Sequence, residues 1–223
     1  MHIGLIGGIG PAATEFYYRG LIDRHAEADT KLDVTIVHAD VREMAANLAI
    51  GAAQAQAESF ARLLRRLSAA GAELAAVTSM GGHFCIRELL VVSPLPLLNA
   101  IPAVDAAIRV RSLKTVGIIG TRNVMESGLY GGITSAKVMR PEGEELEQVH
   151  TAYITMAGEG RVSEKQRQVF FAAGQRLSER GAEAVVLGGT DLFLAFAGQE
   201  TGFPTLDCAN VHVEALFQRS LSN

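Results

Sequence analysis

His83, Asp191, Asp207 and His212 carry acid–base chemistry and fall at predicted strand ends or helix starts. Ser79 lies close to His83, which suits a base-activated hydroxyl of the Ser–His kind. Thr190 and Asp191 belong to a second, related loop. Each histidine could equally cap a helix or fill a core hydrogen bond, because geometry identifies a general base. No His/Cys/Asp spacing resembles a zinc site, and His38-x-Asp40 alone is too common a pair to count, so no metal is expected. The two cysteines, Cys85 and Cys208, read as reduced thiols and small apolar residues.

Gly7-Gly8-Ile9-Gly10-Pro11-Ala12-Ala13-Thr14 joins a strand to a helix. Gly8-x-Gly10-x-x-Ala13, with Asp40 ending the next strand, formally fits a dinucleotide fingerprint. The fit needs a permissive last position, and Asp40 lies farther on than the usual ~20 residues. Glycines also turn the backbone tightly and leave helix N–H groups for any anion, a carboxylate included. Another strand ends in Gly120 but continues Thr121-Arg122-Asn123. A pair of loops facing a carboxylate explains both copies better than one nucleotide, so no cofactor is expected.

The elements that must position these residues repeat. Ile3-Gly4-Leu5-Ile6-Gly7 returns as Val116-Gly117-Ile118-Ile119-Gly120, and Gly71-Ala72-Glu73-Leu74 returns as Gly181-Ala182-Glu183-Ala184. Both offsets are roughly half the chain. Strands are predicted over 2–7, 32–39, 74–77, 115–120, 184–188 and 203–206. Helices are predicted over 11–26, 51–70, 163–180 and 209–221, with another from about Val104. Strands alternating with helices imply a parallel sheet in each half. Pro94, Pro96 and Pro102 punctuate the crossing, which places the domains at 1–98 plus 207–223 and at 99–206. The ligand is expected in the cleft between the halves, at the carboxyl ends of the strands.

The 223 residues carry a net charge of −4 and no Lys/Arg run, which argues against nucleic acid and anionic membrane as partners. No apolar run approaches a membrane span of ~18 residues. The N-terminus lacks the basic start, apolar core and cleavage site of a signal peptide, so a cytoplasmic location is expected.

Gly4-Leu5-Ile6-Gly7-Gly8-Ile9-Gly10-Pro11-Ala12-Ala13-Thr14 resembles the opening "GLIGGMGPEAT" of the aspartate/glutamate racemase superfamily. Val116 to Arg122, continued by Met125-Glu126-Ser127-Gly128-Leu129-Tyr130, resembles its "GLLGTRxTMESGLY" segment. Asp207-x-x-x-x-His212 resembles its closing "DTTxxHA". The resemblance implies two pseudo-symmetric α/β domains, each with a central parallel sheet flanked by helices, and a homodimer. It implies cofactor-independent, and therefore PLP-independent, racemisation in which one cysteine thiolate takes the α-proton and a second thiol returns one. It also implies a small carboxylate or amino-acid ligand. Gly8, Gly10, Pro11, Ala12, Arg42, Thr121, Met125, Arg161, Gly189 and His212 are its expected contacts, with Arg122 a lesser one. An arginine fork suits a carboxylate because it donates two parallel hydrogen bonds.

The catalytic positions depart from the family. Its "CNTAH" is here Ser79-Met80-Gly81-Gly82-His83, and its "GCTEL" is Gly188-Gly189-Thr190-Asp191-Leu192. Ser79 and Gly189 therefore stand where the two thiols belong, expected on opposite walls of the cleft. A thiol near pKa 8.5 readily becomes a thiolate, a serine needs a partner base, and glycine offers nothing. Three functions follow. The first is an isomerase using non-thiol groups, with Ser79, His83, Thr190 and Asp191 as candidate catalytic residues and little turnover of aspartate or glutamate. The second is an inactive carboxylate-binding protein that kept the pocket. The third is a nucleotide-dependent enzyme.

Overall fold

The computed structural model describes residues 1–222. The chain divides into two compact units, Met1–Asn99 with the segment from His212 onward, and Ala100–Val211.

In unit 1, β1 (His2–Gly7), α1 (Pro11–Glu27), β2 (Asp33–His38), α2 (Val41–Ala49), α3 (Ala53–Ala69), β3 (Leu74–Val77) and α4 (Ile86–Val92) follow one another. The sheet is parallel, in the order β2-β1-β3. Ile3, Leu5 and Ile6 of β1 are fully buried, as parallel strands with helices on both faces require. Phe60, Leu64 and Leu67 recur along α3 at helical spacing and are buried, while Leu63 is half-buried. Each such side chain contributes roughly 1.5–3 kcal/mol. A 3-10 turn, Gly81–Cys85, occupies part of the loop after β3.

In unit 2 the order is α5 (Ala100–Val110), β4 (Thr115–Ile119), α6 (Arg122–Gly131), β5 (Lys137–Met139), α7 (Gly143–Glu159), α8 (Glu164–Glu179), β6 (Ala184–Leu187), α9 (Phe193–Phe196), β7 (Thr205–Asp207) and α10 (Cys208–Leu221). Its parallel sheet runs β5-β4-β6-β7. Three of its strands repeat the order of unit 1. Where unit 2 has β7, unit 1 has a single bridge between Ala75 and Leu97. α6 is broken by left-handed backbone at Gly128, Leu129 and Tyr130. α8 begins with a capping box, Ser163 and Gln166 each bonding the other's N–H.

Several elements depart from the sequence reading. α2, β5 and α7 were not expected, although Leu146, Val149, Tyr153 and Met156 of α7 are buried at helical spacing. The last strand starts at Thr205 because Pro204 has no N–H; its carbonyl accepts from Val185 N–H at 2.9 Å. α10 starts in unit 2, and its segment from His212 onward belongs to unit 1. Among the described residues, no helix is long and apolar enough to cross a membrane.

Candidate active site

The glycine loop of unit 1 follows β1. Gly8 has φ +87°, and a Cβ there would lie 2.5 Å from His38 Nδ1, so only glycine fits. Its N–H donates to Thr14 Oγ1 at 2.9 Å, and Thr14 Oγ1 lies 3.2 Å from Thr78 Oγ1. Gly10 is the left-handed N-cap of α1, Pro11 is exposed in its first turn, and Ala12 is buried. The hydroxyl of Thr14 thus ties the glycine loop to the loop after β3.

Thr78 N–H extends the ladder of β3 by bonding the Ile6 carbonyl at 3.0 Å. Ser79 follows, 6% exposed, its Oγ accepting from Gly82 N–H at 3.3 Å. His83 Nδ1 lies 2.7 Å from the main-chain carbonyl of Ser79 rather than its hydroxyl. A carbonyl only accepts, so Nδ1 carries the proton and Nε2 the lone pair. Burial lowers His83 to about 4 and keeps it neutral at pH 7.

His212 has no exposed surface. Its Nε2 lies 3.0 Å from the Leu98 carbonyl and its Nδ1 lies 2.9 Å from Tyr17 Oη. The carbonyl again assigns the proton, so Nε2 donates and Nδ1 accepts from the tyrosine. Burial, then the neighbouring His83, lowers His212 to about 3. This expected substrate contact therefore ties α10 to α1 inside the core. Arg42 sits on the surface with its side chain 88% exposed, its Nη2 donating to Asp40 Oδ2 at 3.0 Å.

In unit 2, Gly188 N–H bonds the Ile119 carbonyl at 2.8 Å, matching Thr78. Gly189 follows, and a Cβ there would lie 2.2 Å from Tyr153 Cε2 and 2.8 Å from Tyr153 Oη. The phenol of α7 occupies the space of the side chain that Gly189 lacks. Tyr153 Oη donates to Asp191 Oδ2 at 3.2 Å, both residues being buried. Burial, and then the charge of Asp191, raises the Tyr153 phenol well above its ordinary value, so it stays neutral. Thr190 Oγ1 is buried and meets no hydrogen-bond partner among the described residues. Sequence reasoning missed Tyr153. The helical spacing of α7 marks it as core, but nothing local pairs it with Gly189.

The other expected contacts lie in unit 2, where Gly120, just before Thr121, packs against Gly188 and Gly189. Thr121 caps α6, accepting from Val124 N–H at 3.4 Å. Met125, one helical turn on, is fully buried, its N–H donating to the Thr121 carbonyl at 3.0 Å. Arg122 bonds Glu147, and Arg161, 82% exposed, lies 3.7 Å from Glu159. Both cysteines are fully buried, and Cys85 Sγ donates to the Gly82 carbonyl at 3.4 Å. Burial pushes the Cys85 thiol up to about 12 and raises the Cys208 thiol well above its ordinary value. Among the described residues, no group of His, Cys, Asp and Glu is placed to hold a metal.

Residues 6–216 match the Asp/Glu/Hydantoin racemase family. The chain belongs to it. Among solved structures it resembles a candidate Asp/Glu racemase from Yersinia pestis, 26% identical over 100% of both chains with a TM-score of 0.84. It also resembles PH1733, an aspartate racemase homologue from Pyrococcus horikoshii OT3, with 24% identity, 98% coverage of both chains and a TM-score of 0.77. The aspartate racemase of Picrophilus torridus shares 17% identity over 99% of this chain and 94% of its own, with a TM-score of 0.74.

Proposed function

We propose that this chain is an isomerase that moves the α-proton of a small amino-acid or carboxylate substrate without a cofactor and without thiols. The observation that carries the reading is Thr190 Oγ1, a buried hydroxyl without a partner in the loop beside Gly189. Leaving such a group unmet costs about 1–3 kcal/mol, which a ligand oxygen at that point would recover. Family membership supplies the class of chemistry. Ser79 is the proton-transfer group of unit 1, in the same loop as the neutral His83. Arg42 leaves Asp40 to grip a ligand carboxylate. Its exposure makes that exchange cheap, since a surface ion pair is worth only about 0–1 kcal/mol.

The test is α-proton exchange into deuterated solvent across a panel of amino acids, each as both enantiomers, read by mass spectrometry. Deuterium should enter one substrate class from both enantiomers, with little entering aspartate or glutamate. Binding without exchange across the panel would replace the isomerase with a carboxylate-binding protein. Arg42→Ala should weaken binding of the exchanging substrate by about 1.5–3 kcal/mol in calorimetry. Unchanged affinity would remove Arg42 from the site.

A further inference from the structure

Gly189 removes a proton carrier from unit 2, yet the space beside it holds one. Tyr153 reaches it from α7, an element remote in sequence, and its ring lies where a residue-189 side chain would begin. The position does not need glycine for its backbone, because its φ of −121° is open to any residue. Gly189 is explained by the ring that presses on it. A tyrosine needed only for packing could be a phenylalanine, whereas this one brings a hydroxyl to a buried carboxylate, Asp191, at 3.2 Å. The phenolic hydrogen goes to Asp191 Oδ2 and the Asp191 N–H also bonds Oη, which leaves Oη one further lone pair with which to accept.

We infer that Tyr153, backed by Asp191, is the proton-transfer group of unit 2 and stands in for the missing thiol. The inference rests on the isomerase reading. In one direction the substrate Cα–H bond breaks and leaves its electron pair on the carbanion. That proton bonds Tyr153 Oη as the phenolic proton passes to Asp191 Oδ2. Phenol and carboxylate become phenol and carboxylic acid, and no phenolate forms. In the other direction the carboxylic acid returns its proton to Oη as Oη gives one to the carbanion, whose electron pair makes the new C–H bond. The high cost of ionising Tyr153 next to Asp191 suits a relay that keeps the phenol neutral throughout. Tyr153 is the catalytic residue, and Asp191 acts through it as a positioning residue and proton reservoir.

The experiment compares wild type, Tyr153→Phe and Asp191→Asn in the same exchange assay, with each enantiomer supplied separately. Phenylalanine preserves the ring against Gly189, and asparagine can still accept from the phenol but cannot take its proton. Each variant should lose exchange from one enantiomer by about 10²–10⁴-fold, the range for one general acid or base. Exchange from the other enantiomer should stay within about tenfold of wild type and proceed without inversion. A purely structural role would depress both enantiomers alike, and that outcome overturns the assignment, as does wild-type exchange by Tyr153→Phe. Thermal melting of each variant shows whether a symmetric loss reflects unfolding; if so, exchange per folded molecule decides. A wild-type chain that exchanges no amino acid overturns the isomerase reading itself, and the assignment with it.

Discussion

After β3 the ladder runs on by one bond, Thr78 N–H to the Ile6 carbonyl at 3.0 Å; after β6 it does the same, Gly188 N–H to Ile119 at 2.8 Å. Both loops then curl into a 3-10 turn, Gly81–Cys85 in one and Thr190–Leu192 in the other. The backbone is repeated and the side chains are not. In unit 1 the loop keeps a small hydroxyl, Ser79, and buries a histidine against its carbonyl. In unit 2 the loop gives up its side chain, and a tyrosine from α7 bonds the carboxylate of Asp191. One loop keeps its polar groups close in sequence, while the other adds to its own Thr190 and Asp191 a phenol from elsewhere in the unit. Duplicated scaffolds can diverge in this way because side chains at strand ends are exchanged without disturbing the ladder beneath them.

Acid should separate the units most strongly. His83 at about 4 and His212 at about 3 both lie below the 6.5 of an exposed histidine. The unfolded chain therefore binds more protons below pH 6.5. Their contribution to stability is whole above that pH and is lost as pH falls towards 4 and 3. At pH 5 each loses about 2 kcal/mol, or about 4 kcal/mol together. The urea midpoint should fall from pH 7 to pH 5, and His212→Phe should remove about half of that slope. An unchanged slope in the variant would put the acid sensitivity elsewhere.

Placing a thiol in each loop probes the comparison next. Gly189→Cys drives a Cβ to 2.2 Å from Tyr153 Cε2, and overpacking of that kind costs about 1–3 kcal/mol. Ser79→Cys has no such obstacle and should cost under about 1 kcal/mol. In a Tyr153→Ala background the Gly189→Cys penalty should vanish, as a double-mutant cycle of unfolding free energies would show. Additive effects would mean that the ring does not hold position 189 empty. Pairing Ser79→Cys with Gly189→Cys to rebuild a two-thiol site thus requires a third change, at Tyr153.

Unit 2 also titrates in the opposite sense. Burial pushes the Asp207 carboxyl up to about 6 from 3.8, although Ala209 and Asn210 N–H groups bond it. The folded chain holds this proton when the unfolded chain has lost it. The stability is present below pH 3.8 and is lost as pH rises through 6. Asp207→Asn keeps an acceptor for both N–H groups and should raise stability at pH 7 by about 1–2 kcal/mol, allowing for partial solvent screening. Lower stability would mean that the charge caps α10 better than it suffers from burial. The smallest effect belongs to the surface of unit 1. Arg42→Ala should shift the unfolding free energy by less than about 0.5 kcal/mol.

The repeated apolar runs ending in glycine, the helical face of Phe60, Leu64 and Leu67, and the motif departures at Ser79 and Gly189 were all legible in the sequence. Strand and helix periods are local, and a missing thiol is a matter of residue type. They determined two parallel α/β units and excluded the family's ordinary two-thiol chemistry. Only the tertiary structure decided what stands beside Gly189. Tyr153 and Gly189 are far apart in sequence, and no local pattern says that one ring fills the space beside the other. His212 reads the same whether it faces a ligand or the core. Its two bonds, to Tyr17 and the Leu98 carbonyl, exist only once α10 packs on α1, because hydrogen-bond partners remote along the chain are chosen by packing rather than by sequence spacing.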